Sequence, residues 1–457
     1  MMTGDEYKAS LGDGRAVYFR GERIADIAAH PVFASVIQRV ADGYDKLKAA
    51  GPESAYFDPP RNQAALRRLA RAEIDPVAGL THTSLMTLMT AAERIAHRRP
   101  QAKDAVAAYV REARAKDWRI AECISDSKGD RSKHPGEQQD PDQYVRVVER
   151  RDGGVVIRGA KLHISAAAFC HELMTIPTKA MRNGEEDYAI ACCVPVNATG
   201  VHIINTMAGP RAGDLRDSPF STRRQMPQGF VVFDDVFVPR ERIFLEGETD
   251  CAASFAHSLG LWTRASNLAD ACDEADLVVG FAQLVAEANG LEKIPHIRDK
   301  IGDLVVSATL TRACFEAAIA NSRMGENGMM VPDELFTNAG KYQSTAAHAS
   351  MMQILQDICG GSLITAPSIA DLESEAVGQF VRKYMGTKQQ VDGAYRLRLL
   401  QAIRDLSASE FGGQRAVSKL HGGGGLYAQR VVTRGRYDLE RAKRLALEAA
   451  GLEAPPV

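Results

Sequence analysis

The hydrophobic pattern of this 457-residue chain changes twice along its length. Up to about residue 120, and again beyond about residue 250, apolar residues recur at three- and four-residue spacing, as they do on one face of an α-helix. Between these regions the apolar runs are short and are separated by Gly and Pro, which is typical of β-strands. The order therefore predicts a helical segment, then a sheet, then a helix bundle.

The same pattern gives bounds for the elements. In the first part we predict helices at 31–50, 61–72, 80–96 and 104–115. The strands are predicted at 144–149, 154–157, 172–177, 188–194, 202–204 and 229–238. Longer helices, of a length that suits an antiparallel bundle, are predicted at 271–289, 296–323, 334–359 and 391–411. We expect an α+β fold with an N-terminal helical domain at 1–120, a central β-barrel-like domain at 121–248 and a C-terminal helix bundle at 249–457.

Composition excludes several classes of partner. The 56 Lys and Arg residues nearly balance the 58 Asp and Glu residues, so we expect neither nucleic acid nor an anionic membrane as a partner. Apolar runs long enough for a membrane helix and a signal-peptide pattern are both missing, which predicts a cytoplasmic protein. Eight cysteines are scattered without a CxxC spacing, and we interpret most of them as small buried apolar residues rather than metal ligands.

Two neighbouring segments have the composition of a ligand-binding loop. The first reads SDSKGDRS at 125–132, where Lys128 and Arg131 offer cationic donors to a phosphate or carboxylate. The second reads VVIRGAKLHIS at 155–165, and we predict a strand, a tight turn at Gly159 and a second strand that returns Ser165 to the first loop. A solvated turn is the alternative interpretation of the first segment.

A run of glycines stands near the C-terminus. His421 is followed by Gly422, Gly423, Gly424 and Gly425. Without Cβ atoms, backbone amides can lie directly against a ligand, and a helix that begins after the run adds a favourable dipole for an anion. A flexible turn between two helices is the alternative.

Taken together, the chain resembles the superfamily that unites the 4-hydroxyphenylacetate 3-hydroxylases with the 4-hydroxybutyryl-CoA dehydratases, flavoproteins with an acyl-CoA-dehydrogenase-like fold. The resemblance rests on five ordered motifs between residues 120 and 430. They are the KGDRS loop, the GAK turn with its following Ser165, FDDVFVP at 233–239, HIRDK at 296–300, and HGGGG with the following AQR at 428–430.

The resemblance implies FAD as cofactor and a homotetramer with the flavin near subunit interfaces. Carried over residue by residue, it places the flavin contacts on the following positions: Glu122, Cys123, Ile124, Lys128, Gly129, Asp130, Arg131, Ser165, Gly422, Gly423, Gly424 and Gly425. A hydroxyl at Ser165 would bond the rim of the flavin ring.

The chain departs from the dehydratases, which hold an iron–sulfur cluster with three Cys and one His. His296 matches the cluster His, but Leu80, Ser84 and Asp303 stand where the family has Cys. The catalytic Tyr and Glu of that branch correspond to Lys300 and Ser418. A cluster requires thiolates. We therefore expect neither a cluster nor another metal, and we interpret His296 as a histidine at a helix terminus.

The chain also departs from the aromatic hydroxylases, whose Arg, Tyr and His anchor and deprotonate a phenol. Leu80, Ser84 and Glu122 occupy those positions. The resemblance then places these residues around the substrate: Leu80, His82, Thr83, Ser84, Glu122, His163 and Thr178. His82 and Glu122 are the candidate acid or base groups, with a supporting or core role as the alternative. Arg264 is a candidate anchor for a carboxylate or phosphate, or else part of an exposed ion pair.

Three functions follow, in this order of preference. The first is an oxygenase component that hydroxylates a small aromatic or phenolic substrate with reduced FAD (FADH2) from a separate NAD(P)H:flavin reductase. It is favoured because the chain carries no GxGxxG turn for a nicotinamide cofactor of its own. The second is a cluster-free flavoenzyme that acts on an acyl-CoA as isomerase, dehydratase or dehydrogenase. The third is a relative that has lost tight flavin binding and serves as a partner protein.

Overall fold

The computed structural model describes residues 1–51, 58–71, 74–207, 214–388 and 390–453. Helices fill the first part of the chain, strands the middle and long helices the last part, so the predicted order of elements is confirmed. Among the described residues, no helix is both long enough and apolar enough to span a bilayer. All eight cysteines lie within the described residues and are free, and seven of them are buried, as predicted.

The N-terminal part combines five helices with two short strands. Its helices are α1 (Gly4–Ser10), α2 (Pro31–Ala49), α3 (Gln63–Ala70), α4 (Ala78–Ile95) and α5 (Ala102–Ala115). The predicted helix at 61–72 thus covers α3, and its last residue lies outside the described residues. Strands β1 (Ala16–Phe19) and β2 (Glu22–Arg23) were not predicted. Strand β1 pairs in parallel with a strand near residue 203, so the N-terminal segment extends the central sheet.

The central part consists of two sheets. Its strands are β3 (Ile120–Cys123), β4 (Arg146–Arg151), β5 (Gly154–Ser165), β6 (Glu172–Thr175), β7 (Ile190–Pro195), β8 (Val201–Thr206), β9 (Gln228–Pro239) and β10 (Ile243–Glu246). The larger sheet has the order β2-β1-β8-β9-β5-β4 and the smaller one β10-β7-β6-β3. Side chains from both sheets share one core, while the other face of the smaller sheet packs on α4 and α5. The smaller sheet is therefore covered on both faces.

Strand β5 corrects one prediction. The expected turn at Gly159 is wrong, because residues 154–165 form one continuous strand that pairs with β9. The register shifts between Ile157 and Gly159, where Gly159 has a φ of 130°. A Cβ at Gly159 would stand 2.8 Å from the Cα of Val145, so the glycine serves a close backbone approach inside a bulged strand.

The C-terminal part is a helix bundle. The short helix α6 (Ser221–Arg224) still belongs to the central part, between β8 and β9. The elements of the C-terminal part are α7 (Ala252–Asn289), α8 (Pro295–Ala320), β11 (Arg323–Met324), β12 (Met330–Val331), α9 (Glu334–Cys359), α10 (Ser362–Thr365), α11 (Ile369–Glu373), α12 (Gly378–Met385), α13 (Gly393–Ser407), α14 (Glu410–His421), α15 (Leu426–Arg436) and α16 (Leu439–Ala450). Residues of α7, α8, α9 and α13 form the bundle core.

Two bundle helices differ from their predicted bounds. Helix α7 begins at Ala252, well before the predicted residue 271. Its first half is buried between other elements, so apolar residues occur on several faces and the helical period is lost. The predicted helix at 391–411 is interrupted after Ser407, because the Ser409 hydroxyl accepts a hydrogen bond from the Gly412 amide and starts α14.

Candidate active site

The loop after β3 is held by a buried ion pair. The Lys161 Nζ lies 2.8 Å from the Asp126 Oδ1, and both side chains are 2% exposed. The same Nζ donates hydrogen bonds to the carbonyls of Ile124 (3.0 Å) and Ile176 (2.8 Å). Because a buried ammonium is costly unless its donors are used, this arrangement fixes the loop against β5 and the end of β6.

Thr178 and Ile124 belong to the same anchor. The Thr178 hydroxyl donates to the Ile124 carbonyl at 2.6 Å and contacts the Asp126 carboxylate. The Asp126 amide in turn donates to the Thr178 hydroxyl oxygen at 3.2 Å. Thr178 was predicted to bind substrate; in the structure its hydroxyl holds the loop.

The turn beyond this anchor presents basic groups. Lys128 and Gly129 have φ values of 73° and 46°, and the Lys128 amide donates to the Gln143 carbonyl at 3.1 Å. Partial burial lowers the pKa of His163 on β5, and the positive charges of Lys128, His421 and Arg131 lower it further. These groups come from the loop, from β5 and from the end of α14. The structure therefore brings the KGDRS loop and the start of the glycine run to one place.

The glycine run is a fixed segment between α14 and α15. Gly423 and Gly424 have φ values of 73° and 88°, and a Cβ on Gly423 would lie 3.1 Å from the Arg264 Cγ. The Arg264 Nε donates to the Gly423 carbonyl at 2.7 Å, and the buried Gln429 Nε2 donates to the Gly424 carbonyl at 2.8 Å. The interpretation as a flexible turn is not supported, since two buried side chains hold its carbonyls.

Arg264 differs from both of its predicted roles. It is buried on α7 and donates to the Gly423 carbonyl and, at 2.6 Å, to the Asn338 Oδ1. It is therefore not part of an exposed ion pair. Its Nε and one of its terminal nitrogens are already used to join α7 and α9 to the glycine run.

Strand alternation directs Glu122 towards the helices. In β3, Ile120 packs with the residues of α4 and α7, while Ala121 and Cys123 pack between the two sheets. Glu122 follows the same alternation as Ile120 and therefore faces the helices. Cys123 is buried, and this burial raises the pKa of its thiol, so it is a core residue.

Glu122 lies where β3 meets α4 and α7, and the recess around its carboxyl is called the cleft. The Thr83 hydroxyl of α4 hydrogen-bonds to its carboxyl group. Burial raises the pKa of Glu122 to about 7, and the hydroxyls of Thr83 and Thr263 oppose this rise. The Thr263 hydroxyl is close enough to act on the carboxyl but completes no well-aligned hydrogen bond with the described residues. Glu122 is nevertheless partly exposed, so the carboxyl is surrounded by protein and still reachable by a small molecule.

Further hydroxyls lie on the same helix. Ser84 and Thr87 are fully buried on α4, and their hydroxyl oxygens have no hydrogen-bond partner among the described residues. Further along α4, the Thr90 hydroxyl accepts a hydrogen bond from the Trp262 Nε1 at 2.9 Å. This bond joins α4 to α7. Buried hydroxyls normally have partners, so Ser84 and Thr87 indicate room for a ligand or water beside the cleft.

The remaining predicted residues are spread around this cleft. Leu80 is partly exposed on α4, and His82 is buried in the same helix. His163 is exposed, and the charge of Lys128 acts on it. The Ser165 hydroxyl donates to the Gln228 Oε1 at 2.9 Å. Gly129, Asp130 and Arg131 are exposed on the turn.

Three contributions were missed at the sequence level. No spacing in the sequence marks Thr263 or the pair of Lys161 with Asp126, because each acts through a partner distant in sequence. Gln429 instead acts on a near neighbour, Gly424. Asp126, Lys161 and Gln429 do lie within the motifs quoted from the sequence, and this was the available signal. The cleft as a whole fits a flavin: Lys128 and Arg131 suit its phosphates, the glycines allow close backbone approach, and hydroxyls without partners remain for polar ring atoms.

Two family models match this chain. The family model for the 4-hydroxyphenylacetate 3-hydroxylase N terminal matches residues 3–71 and 61–245, and that for the C terminal matches residues 252–451. The 4-hydroxybutyryl-CoA dehydratase/vinylacetyl-CoA-Delta-isomerase of Clostridium aminobutyricum is 29% identical to this chain. The match covers 76% of this chain and 73% of the relative.

Two oxygenase components are also similar. The 4-hydroxyphenylacetate 3-monooxygenase oxygenase component of Geobacillus sp. (strain PA-9) is 26% identical over 90% of this chain and 89% of its own length. A crystal structure of such a component complexed with FAD shares the fold, with a TM-score of 0.87 and 23% identity over 98% of this chain and 99% of that one. The predicted acyl-CoA-dehydrogenase-like fold class and the predicted superfamily are thus confirmed. The chain belongs to the 4-hydroxyphenylacetate 3-hydroxylase family.

Proposed function

We propose that this chain is the oxygenase component of a two-component flavin monooxygenase, which hydroxylates a small aromatic or phenolic substrate with reduced FAD. The observation that carries the proposal is the position of Glu122, a partly exposed carboxyl with a pKa of about 7, between α4 and α7 and directly before the KGDRS loop. The oxygenase relatives and the FAD bound in a structure of the same fold support the reaction type and the cofactor.

The chain's own residues hold the flavin and exclude water. Lys128 and Arg131 neutralise the phosphates, and the amides of the glycine run approach the ligand with the N-terminus of α15 behind them. Bound reduced FAD supplies the electrons with which one atom of dioxygen enters a ring C–H bond and the other leaves as water. The anchored loop, α4 and α7 enclose the reacting atoms and keep bulk water out.

Glu122 serves as the base for the substrate. A phenolic O–H donates to its carboxylate, and the proton moves to the Glu122 oxygen as the ring is attacked. Removal of this proton increases the electron density of the ring carbon beside the hydroxyl, which is the position that is oxygenated. The Thr83 hydroxyl fixes the orientation of the carboxyl, because it is itself held near the carbonyls of Gly79 and Leu80.

Electrons must come from another protein. The sequence contains no GxGxxG turn between a strand and a helix, so we infer a separate NAD(P)H:flavin reductase as partner. The other partner is the small-molecule substrate. A cytoplasmic location remains a prediction.

A second candidate function is chemistry on an acyl-CoA. It is favoured by the dehydratase relative, which is 29% identical. Glu122 would again be the base. His296, however, is exposed near the start of α8 in the subunit, and Leu80 and Ser84 offer no thiolate. A cluster-dependent dehydration is therefore not part of this alternative.

One experiment separates the candidates. Purified protein is mixed with chemically reduced FAD, air and a panel of phenols, and the hydroxylated product is measured against the oxygen consumed. The monooxygenase should form product in proportion to oxygen. A flavin spectrum that shifts with CoA esters without oxygen, together with no hydroxylated phenol, would favour acyl-CoA chemistry. Failure to take up FAD at micromolar concentration would leave the role of a partner protein.

Gly423→Ala tests the flavin cradle. The new Cβ would stand 3.1 Å from the Arg264 Cγ at a residue with positive φ, so the run must shift. We expect FAD affinity, measured by quenching of flavin fluorescence, to fall about tenfold or more, which corresponds to about 1.4 kcal/mol. Gly435→Ala in α15, where a Cβ meets nothing within 4 Å, is the matched control and should bind FAD normally.

A homotetramer is proposed for the assembled protein. The apolar residues Met351, Leu355 and Ile358 of α9 are buried in the subunit's own bundle. Exposed apolar residues occur instead on α8, at Val305, Val306 and Leu310. Light scattering should give four times the chain mass of 49.6 kDa. A monomer would contradict this proposal.

A further inference from the structure

The charges around Glu122 determine which substrates can reach it. The groups that act on its carboxyl are the hydroxyls of Thr83 and Thr263, from α4 and α7. Its neighbour in β3, Cys123, is a neutral buried thiol. The carboxyl is thus surrounded by neutral hydrogen-bonding groups and carries the negative charge of this part of the cleft.

Neither Arg264 nor Lys161 is among the groups that act on the Glu122 carboxyl. Arg264 follows Thr263 on α7 but donates to Gly423 and Asn338. Lys161 is paired with Asp126 and saturated by two carbonyls. Lys128 and Arg131 lie on the outer turn with His163, where we place the flavin phosphates. A carboxylate that entered beside Glu122 would therefore lose its hydration without gaining a counter-charge.

Hydroxyl groups that make no hydrogen bond within the described part of the chain are present on α4 and α7, the two helices that contribute Thr83 and Thr263. Ser84 and Thr87 have buried hydroxyls without a partner among the described residues, and Thr263 completes no well-aligned hydrogen bond. Hydroxyls can bind neutral polar groups, but they do not compensate a full negative charge as an arginine does. Leu80, which stands on the same helix, offers only apolar contact.

From this geometry we propose that the cleft selects phenols without an anionic group, with the substrate hydroxyl donating to Glu122 and the ring lying against Leu80. The inference rests on the proposed function and adds the charge class of its substrate. In this pose an anionic para substituent lies about one ring length from Glu122, and the two like charges still repel each other because the interior screens charge much less than water does. The discrimination against carboxylate-bearing phenols should therefore be at least tenfold in dissociation constant.

Three ligands of similar shape test the inference. Isothermal titration of the FAD-loaded protein, at pH 8, compares 4-ethylphenol, tyramine and 4-hydroxyphenylacetate, which are neutral, cationic and anionic. We expect the neutral or cationic phenol to bind at least tenfold tighter than the anionic one. In Glu122→Gln this preference should shrink to a few-fold or less, since the repelling charge is removed. The exposed Glu149→Gln is the control and should keep the wild-type preference.

A milder variant covers the case in which Glu122→Gln does not fold. Thr263→Val removes a hydroxyl that holds the pKa of Glu122 down, so that pKa should rise. The pH at which the preference for the neutral phenol appears should move upward with it. Equal or tighter binding of 4-hydroxyphenylacetate by the wild type, or an unchanged preference in both variants, would overturn the inference. The proposed function fails separately, if no phenol of any charge is hydroxylated with reduced FAD.

Discussion

Replacing Glu122 with Gln should lower kcat for hydroxylation by about 100-fold or more, the range expected when a general base is lost. FAD affinity should change little, because the substitution removes a charge but keeps the size of the side chain, and the proposed phosphate contacts lie on Lys128 and Arg131. Gln keeps the size of the side chain and its ability to hydrogen-bond to Thr83. The measurement is single-turnover product formation with reduced FAD, and Glu149→Gln should show wild-type rates. Loss of less than tenfold in Glu122→Gln would exclude Glu122 as the base.

The pH dependence of kcat provides a second test of Glu122 as the base. Since burial raises the pKa of Glu122 to about 7, the base is ionised only at higher pH, and wild-type kcat should increase as pH passes through about 7. Stability should respond in the opposite direction. The folded protein keeps this proton at a pH where the unfolded chain has released it, so Glu122 destabilises the fold progressively between about pH 4.5 and 7. Glu122→Gln should therefore melt higher than wild type at pH 8 and similarly near pH 4.5.

Replacing Lys161 with Met should have the largest effect on stability. It leaves the Asp126 carboxylate buried without its partner, and breaking a buried pair in this way typically costs about 3–5 kcal/mol of unfolding free energy. The loop after β3 would also lose two carbonyl contacts, so FAD affinity should fall together with stability. Urea unfolding followed by circular dichroism measures the first effect, and flavin fluorescence the second.

The controls for Lys161 come from the same strand. Arg158 on β5 pairs with Asp235 at 2.6 Å, but both side chains are about half exposed. Arg158→Met should therefore cost less than about 1 kcal/mol. The double variant Lys161→Met with Asp126→Asn should recover part of the loss, because the unpaired charge is removed. If Lys161→Met and Arg158→Met have equal effects, the ion pair does not fix the loop.

Glu122 shows how the three parts of the chain form one site. Its position comes from the strand alternation of β3 in the central sheet. Its hydroxyl partner Thr83 belongs to the N-terminal helices, and Thr263 belongs to the bundle. Lys161 and Arg264 then hold the two flavin segments to either side. Small shifts between the parts would separate these groups, and the two buried anchors oppose such shifts.

Local patterns predicted much of the fold. Helical spacing gave α2, α4, α5, α8 and α9 within a few residues, and the motifs brought the KGDRS loop and the glycine run to attention. Contacts between distant residues could not be predicted in the same way. The pairing of β1 with β8 joins segments far apart in the chain. The bulge at Gly159 depends on the backbone of Val145, so the residue alone suggests a turn equally well.

The site was predicted less completely than the fold. Glu122 and Thr83 were both expected near the substrate, and the structure joins them by a hydrogen bond. Their environment is a tertiary property, because the raised pKa of Glu122 follows from the helices packed over it. The position of Thr263 beside them depends on the start of α7, which the sequence pattern placed 19 residues too late, at 271 instead of Ala252.

Labelled oxygen tests the central claim most directly. The protein is supplied with reduced FAD, an uncharged phenol and 18O2, and the product is analysed by mass spectrometry. A monooxygenase places one oxygen atom from dioxygen in the product, so the new hydroxyl should carry 18O. A product hydroxyl with oxygen from water, or oxygen consumption without any hydroxylated product across the phenol panel, would contradict the account.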